Sequence, residues 1–374
     1  MDVHVPWTSI PCICQQRASN APVPTGPGFA GRQYGGRRRL NNAANRPAGR
    51  EVWLDLLRGL ALLFVIYGHQ VGGWYGYFLL TSAVKIPLFF AITGYLFNEK
   101  KTVRAFLKAL LWRLLIPWLG VGLLAAVCRI PAQGTAGFRA ALVDFARGRA
   151  AWYIPCCVVA ELVWFAIRRA LKSVPATAAA VALCCAAGLV LARRKLLGDW
   201  MINRALIAQV YLLIGLIFRR YLEKLPRQAL WGALALAVYF ALAALSARLY
   251  PGRTMDVHRN RYYSVPLCLG MAASGCWALF WLFRRFAAGA PAWLGLLGRS
   301  TLVVYLLHNA TVRLPRRLLS LAGFHRHGLA QAALMLAGAV LLVCGVYCLA
   351  AVLIGRFAPV LAGKGLRRRR DAAV

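Results

Sequence analysis

Acidic residues are nearly missing from this chain. Ten Asp and Glu stand against 46 Lys and Arg in 374 residues, a formal charge of +36. Charged residues of both signs make up only 15%, where a soluble domain carries about 25%. Those figures exclude a soluble enzyme and an acidic disordered protein. Histidine is scarce too, with six in all. Cys12 and Cys14 have no Cys or His partner at zinc spacing. The other nine cysteines lie in or beside apolar runs, where free Cys is a small buried hydrophobe. Neither a metal site nor a disulfide framework is expected. The first 50 residues show no succession of basic start, apolar stretch and small-residue cleavage site.

What the chain has is apolar sequence, 60% of it. That is too much for one buried core and enough for many spans of about 20 residues. The pattern predicts an all-α, polytopic integral membrane protein with about ten transmembrane helices. They fall near 53–72, 77–97, 109–128, 152–168, 173–192, 204–218, 229–248, 263–283, 293–312 and 329–355. Residues 1–50 read as a disordered basic tail, 51–356 as the membrane domain and 357–374 as a basic cytoplasmic tail. No paired broken helices of the transporter kind are evident.

Loop charge sets an orientation. With a cytoplasmic N-terminus, the inside segments hold 27 Lys and Arg and the outside segments 16. The positive-inside rule therefore places both termini in the cytoplasm. Trp74, Tyr75, Tyr77, Trp152, Tyr153, Trp200, Tyr262 and Tyr263 then fall near the outer interface, as an aromatic belt would. The basic groups are scattered between apolar runs. They are expected to meet anionic lipid headgroups and not nucleic acid.

Ionisable groups inside a membrane helix are expensive, so each is a functional candidate. The first helix carries Asp55, Arg58 and His69. Arg58 and His69 are eleven residues apart, which puts them on one face, about 16 Å apart along the axis. Asp55 sits one turn before Arg58 and can orient it. An acyl-CoA entering from the cytoplasm would place phosphates at Arg58, since guanidinium binds phosphate in bidentate fashion. Its pantetheine arm would follow the helix and deliver the thioester to His69. A neutral imidazole there can take a proton from an attacking hydroxyl and return it to the thiolate. The alternative is an Arg58 that snorkels to headgroups and a His69 that caps the helix.

Other polar groups recur at helix positions. Arg113 opens the third helix and can hold a CoA phosphate or act as a positive-inside anchor. Glu161 lies deep in the fourth span and needs a proton or a cation. His69, His308 or an arginine are its candidate partners. Thr301, Tyr305 and His308 follow i, i+4, i+7 and share one face of the ninth helix. They either line a cavity or bond neighbouring helices. Ala91 and Gly94 permit close helix approach. His258, His325 and His327 read as solvated loop residues.

Several stretches together resemble the membrane-bound acyltransferase 3 family, in the branch of fucose 4-O-acetylases and nodulation-factor O-acetylases. They are Leu54-Asp55-Leu56-Leu57-Arg58-Gly59-Leu60-Ala61 through Gly68-His69, and Phe89-Phe90-Ala91-Ile92-Thr93-Gly94-Tyr95-Leu96-Phe97. Arg113 with Pro117, Trp152-Tyr153-Ile154-Pro155, and Leu297-Gly298-Arg299-Ser300-Thr301-Leu302 through His308 complete the set. The resemblance spans about residues 50–356. Thr93 and Thr301 stand where Ser is frequent and Tyr153 where Phe is frequent. It implies transfer of an acyl group, commonly acetyl from acetyl-CoA, to a sugar hydroxyl of an envelope or exported glycan. It implies His69 as the essential histidine with Arg58 its partner, and Arg113 at the donor site.

The expectation is therefore an O-acetyltransferase of a bacterial inner membrane. Its catalytic residues would be His69, Arg58 and Glu161, with Asp55 orienting Arg58. Arg58 and Arg113 would bind the donor, and Trp152, Tyr305 and His308 the acceptor. Acetyl-CoA is expected as a cosubstrate with no bound cofactor, and a glycan or lipid-linked sugar as acceptor. Succinyl transfer by the same fold, or a proton-coupled sugar transporter using His69 and Glu161, are the alternatives.

Overall fold

The computed structural model describes residues 51–70, 74–127, 130–311, 321 and 329–363. The expected tail at 1–50, the Arg-rich stretch 364–370, His325 and His327 lie outside the described residues. The described chain is helical, and its one β contact is an isolated bridge between Asp256 and Arg261.

Each of the ten expected helical segments is present. They are α1 (Val52–Gly68), α2 (Tyr75–Lys85) running into α3 (Pro87–Leu96), α4 (Val103–Leu110) continued by α5 (Ile116–Val127), α7 (Tyr153–Ala170), α8 (Val174–Arg193), α9 (Ile202–Arg220), α10 (Gln228–Leu249), α11 (Val265–Phe286), α12 (Ala292–Arg299) with α13 (Thr301–Thr311), and α14 (Leu329–Phe357). An unexpected α6 (Ile130–Ala146) occupies the segment read as a loop, with a break at Gly134, whose φ is 61°. Among the described residues, seven helical stretches are long and apolar enough to cross a membrane, including Tyr75–Leu96, Asp199–Lys224 and Val265–Gly289.

Local chemistry explains the breaks. Pro87 has no N–H to give the preceding turn, so α2 ends at Lys85 and α3 starts at the proline. The α12–α13 joint falls at Ser300. There the Thr301 hydroxyl donates to the Gly298 carbonyl at 2.6 Å. Between α4 and α5 the chain makes a π-helical turn over Leu111–Leu115. Such a turn inserts one extra residue and re-aims the side chains in it. Arg113 is at its centre.

The helices meet closely where side chains are smallest. Helix α3 packs on α9 and α1 on α12. A Cβ on Gly94 would stand 2.0 Å from the Leu212 carbonyl oxygen, and one on Gly215 would stand 1.8 Å from that of Ala91. A Cβ on Gly298 would stand 1.7 Å from the carbonyl oxygen of Asp55. In hydrocarbon, where apolar burial gives helices little reason to associate, such backbone contacts supply the packing energy. The interior holds Trp118, Trp164, Tyr211, Phe90, Phe218 and Phe280. The outward faces show Leu183, Leu234, Phe240 and Leu342, as a lipid-facing surface requires.

Candidate active site

Helix α1 carries one half of the site at each end. At its first turns Asp55 is buried, and Arg58 donates to its carboxylate at 3.2 Å. The close fit of Gly298 on the Asp55 carbonyl fixes this turn against α12. Arg58 faces a cavity of about 830 Å³ that is also lined by Thr93, Lys101, Lys108, Arg113 and Glu161. That volume lies within the usual span for a small-molecule site, about 300–1,000 Å³. Four cations and one carboxylate make it strongly positive. The π-turn presents Arg113 to the cavity, and its guanidinium is paired with Glu161.

The last turn of α1 forms the second half. His69 closes the helix with its backbone N–H on the carbonyls of Val65 and Ile66. Its ring lies 5.0 Å from that of His308, tilted by 43°. His308 is 1% exposed, and its Nε2 has no hydrogen-bond partner among the described groups. Buried polar atoms are rarely left so. One turn earlier on α13, Tyr305 sets its ring edge-on to Tyr153, 5.5 Å away. Beside Tyr153, Trp152 stacks on His258 at 4.7 Å. The Arg204 guanidinium donates to the His258 carbonyl at 2.5 Å, and Asn203 accepts from Asn260 at 3.3 Å. The loop between α10 and α11 is thereby held against the starts of α7 and α9.

His258 differs from its expectation as a solvated loop residue. It stacks on an aromatic ring because the Asp256–Arg261 bridge folds the loop back. Burial, and then the Arg204 guanidinium, lower its pKa below the ordinary imidazole range, against a smaller opposing effect of Asp256. Glu161, for which the sequence allows three partners, takes Arg113 and lines the Arg58 cavity, of which His69 is not part. Of the three candidate partners the structure thus shows the arginine, and it places Glu161 in the cation cavity. Arg58, Asp55 and Arg113 come together at one end. His69, His308, Tyr305 and Trp152 come together at the other.

Sequence reasoning missed three groups. Lys101 and Lys108 read as ordinary loop charges. Lys85 sits within an apolar run. Its ammonium is 4.5 Å from the centre of the Phe78 ring, and a Cβ on Gly68 would lie 3.4 Å from it. A subtraction would have found it. Of the 46 basic residues, only Arg58, Lys85 and Arg299 fall outside the segments read as loops and tails.

Residues 51–354 match the description of an acyltransferase domain. Comparison with curated proteins and with solved structures gave no match.

Proposed function

The chain belongs to the acyltransferase 3 family of membrane proteins, and on that premise we propose that it moves an acetyl group from acetyl-CoA to a sugar hydroxyl of an envelope or exported glycan. Membership makes it an acyltransferase and replaces the transporter alternative. The observation that carries the finer reading is the division of α1. One end opens on a cavity with four cations, and the other ends at paired imidazoles. A donor with several phosphates at one end and a thioester at the other suits that division.

The residues then take these parts. Arg58, held by Asp55, and Arg113, held by Glu161, bind CoA phosphates with Lys101 and Lys108. The thioester reaches the His69 end, about 16 Å further along the helix. The neutral His69 imidazole accepts the proton of the acceptor hydroxyl as its oxygen attacks the thioester carbon. The tetrahedral intermediate expels CoA thiolate, and the proton returns to that sulfur. Trp152 offers a flat face for a sugar ring, and Tyr305 and His308 supply polar atoms beside it. Basic segments at the Arg58 end favour placing it, with both termini, on the cytoplasmic side of a bacterial inner membrane. The spread of the sequence motifs favours the O-acetylase branch.

The test uses membranes containing the full chain, supplied with acetyl-labelled or succinyl-labelled CoA. Label in base-labile glycan ester is the readout, against membranes lacking the chain. Transfer from the acetyl donor is the expected result. Transfer from the succinyl donor alone would replace the donor assignment, and label confined to phospholipid would replace the acceptor.

A further inference from the structure

Lys85 is a half-buried cation with no ion pair among the described residues. It ends α2 inside the membrane-crossing stretch Tyr75–Leu96. A charged side chain at that depth is costly and normally paired. Its surroundings give it aromatic faces instead. The Phe78 ring centre is 4.5 Å from Nζ and that of Tyr77 is 5.9 Å. The Tyr77 hydroxyl is itself committed, donating to the Phe64 carbonyl.

The carboxylates form their ion pairs elsewhere, and Asp256 reaches Lys85 by its field alone. Asp55 holds Arg58, Glu99 holds Arg168, Glu161 holds Arg113, Asp199 holds Arg149, Glu223 holds Arg284 and Asp256 holds Arg259. Glu51 accepts from the Trp53 indole, and Asp144 lies on α6. No ion pair to Lys85 occurs among the described residues. With ten acidic groups in the chain, the sequence is poor in replacements.

Position gives the ammonium its use. It lies against Gly68, the residue before His69. The charged side chains whose fields reach the His69 imidazole are Lys85 and His258. Of these Lys85 lies within a membrane-crossing stretch, where a charge acts through a low dielectric.

We propose that Lys85 is a further catalytic residue, whose ammonium stabilises the oxyanion formed on the acyl carbonyl beside His69. The inference rests on the acyltransferase reading above. When the acceptor oxygen bonds to the thioester carbon, the carbonyl π pair moves to oxygen. His69 holds the proton lost by the hydroxyl. The negative charge on that oxygen is transient, and Lys85 supplies a cation to meet it. Collapse returns the pair to the C–O bond, breaks the C–S bond and passes the proton to sulfur. The ammonium acts by its charge, and the proton that moves is the one on His69. Removing one donor from an oxyanion site usually lowers turnover by about 10²–10³-fold.

The experiment compares wild type, Lys85→Met and Lys85→Arg in the same membranes, with acetyl-labelled CoA and varied glycan acceptor. Lys85→Met is expected to lower kcat by about 10²–10³-fold, with donor and acceptor KM within about threefold of wild type. Lys85→Arg is expected to regain at least about tenfold of that loss, because it restores the cation. Thermal stabilisation of each protein by CoA, unchanged between the variants, shows that fold and donor cavity survive. A Lys85→Met protein with wild-type kcat overturns the proposal. So does a raised acceptor KM at unchanged kcat, which would make Lys85 an anchor for an anionic acceptor. So does a Lys85→Arg that binds CoA and is no faster than Lys85→Met. A wild type that transfers no acyl group would overturn the acyltransfer reading itself, a result distinct from any of these.

Discussion

Replacing His69 with alanine is expected to lower kcat by about 10²–10⁴-fold and to leave the donor KM close to that of wild type. The argument is spatial. His69 lies past the last turn of α1, beside His308, and it does not line the cation cavity. A residue outside the donor cavity has no reason to change donor affinity, and a general base acts only as the transition state forms. His308→Ala is expected to do less, since the ring it removes sits beside the base without replacing it. Steady-state rates of label transfer over a range of acetyl-CoA concentrations check both. A His69→Ala protein that raises donor KM at unchanged kcat would place the donor, and not the chemistry, at this end.

Arg58→Ala is expected to show the reverse pattern. A charge-assisted hydrogen bond to phosphate is worth about 1.5–3 kcal/mol, so the donor KM should rise about 10–100-fold. Turnover at saturating donor should change little. Arg113→Ala should do the same, with a complication that the structure makes explicit. It leaves the Glu161 carboxylate, with its side chain 12% exposed, without the guanidinium it faces. An uncompensated carboxylate in the cavity would repel donor phosphates as well as lack a partner. The double variant Arg113→Ala with Glu161→Gln removes that repulsion. It is therefore expected to bind donor better than Arg113→Ala alone. Equal donor KM for the single and double variants would show that Glu161 only anchors the helices.

The helices were readable because a membrane demands long apolar runs, and each of the ten expected segments appears. Their breaks were less so. Pro87 lies inside an uninterrupted apolar run, and only its missing N–H separates α2 from α3. Helix α6 was hidden by Gly134 and by the polar residues of a loop-like stretch. The π-turn that aims Arg113 leaves no mark in the residue pattern.

The site divided in the same way. Arg58, Asp55 and His69 share one helix, so helical geometry alone placed them on one face. Glu161 and His258 depend on which helices are neighbours, and one sequence does not contain that information. Glu161 went to Arg113, and His258 went onto Trp152. Lys85 was overlooked because a single charge barely changes the apolar character of its run. What marks it in the sequence is its place outside every loop and tail; that it makes no ion pair among the described residues shows only in the structure.

The central claim is that donor phosphates and acceptor chemistry occupy opposite ends of α1. Sealed membrane vesicles of known orientation test it most directly. Labelled acetyl-CoA, which does not cross the bilayer, is supplied to one face at a time, and both base-labile glycan ester and released CoA thiol are followed. The account predicts transfer only when the donor meets the face bearing Arg58, Lys101, Lys108 and Arg113, with CoA thiol released to that same face. Equal transfer from donor supplied to the opposite face would contradict it.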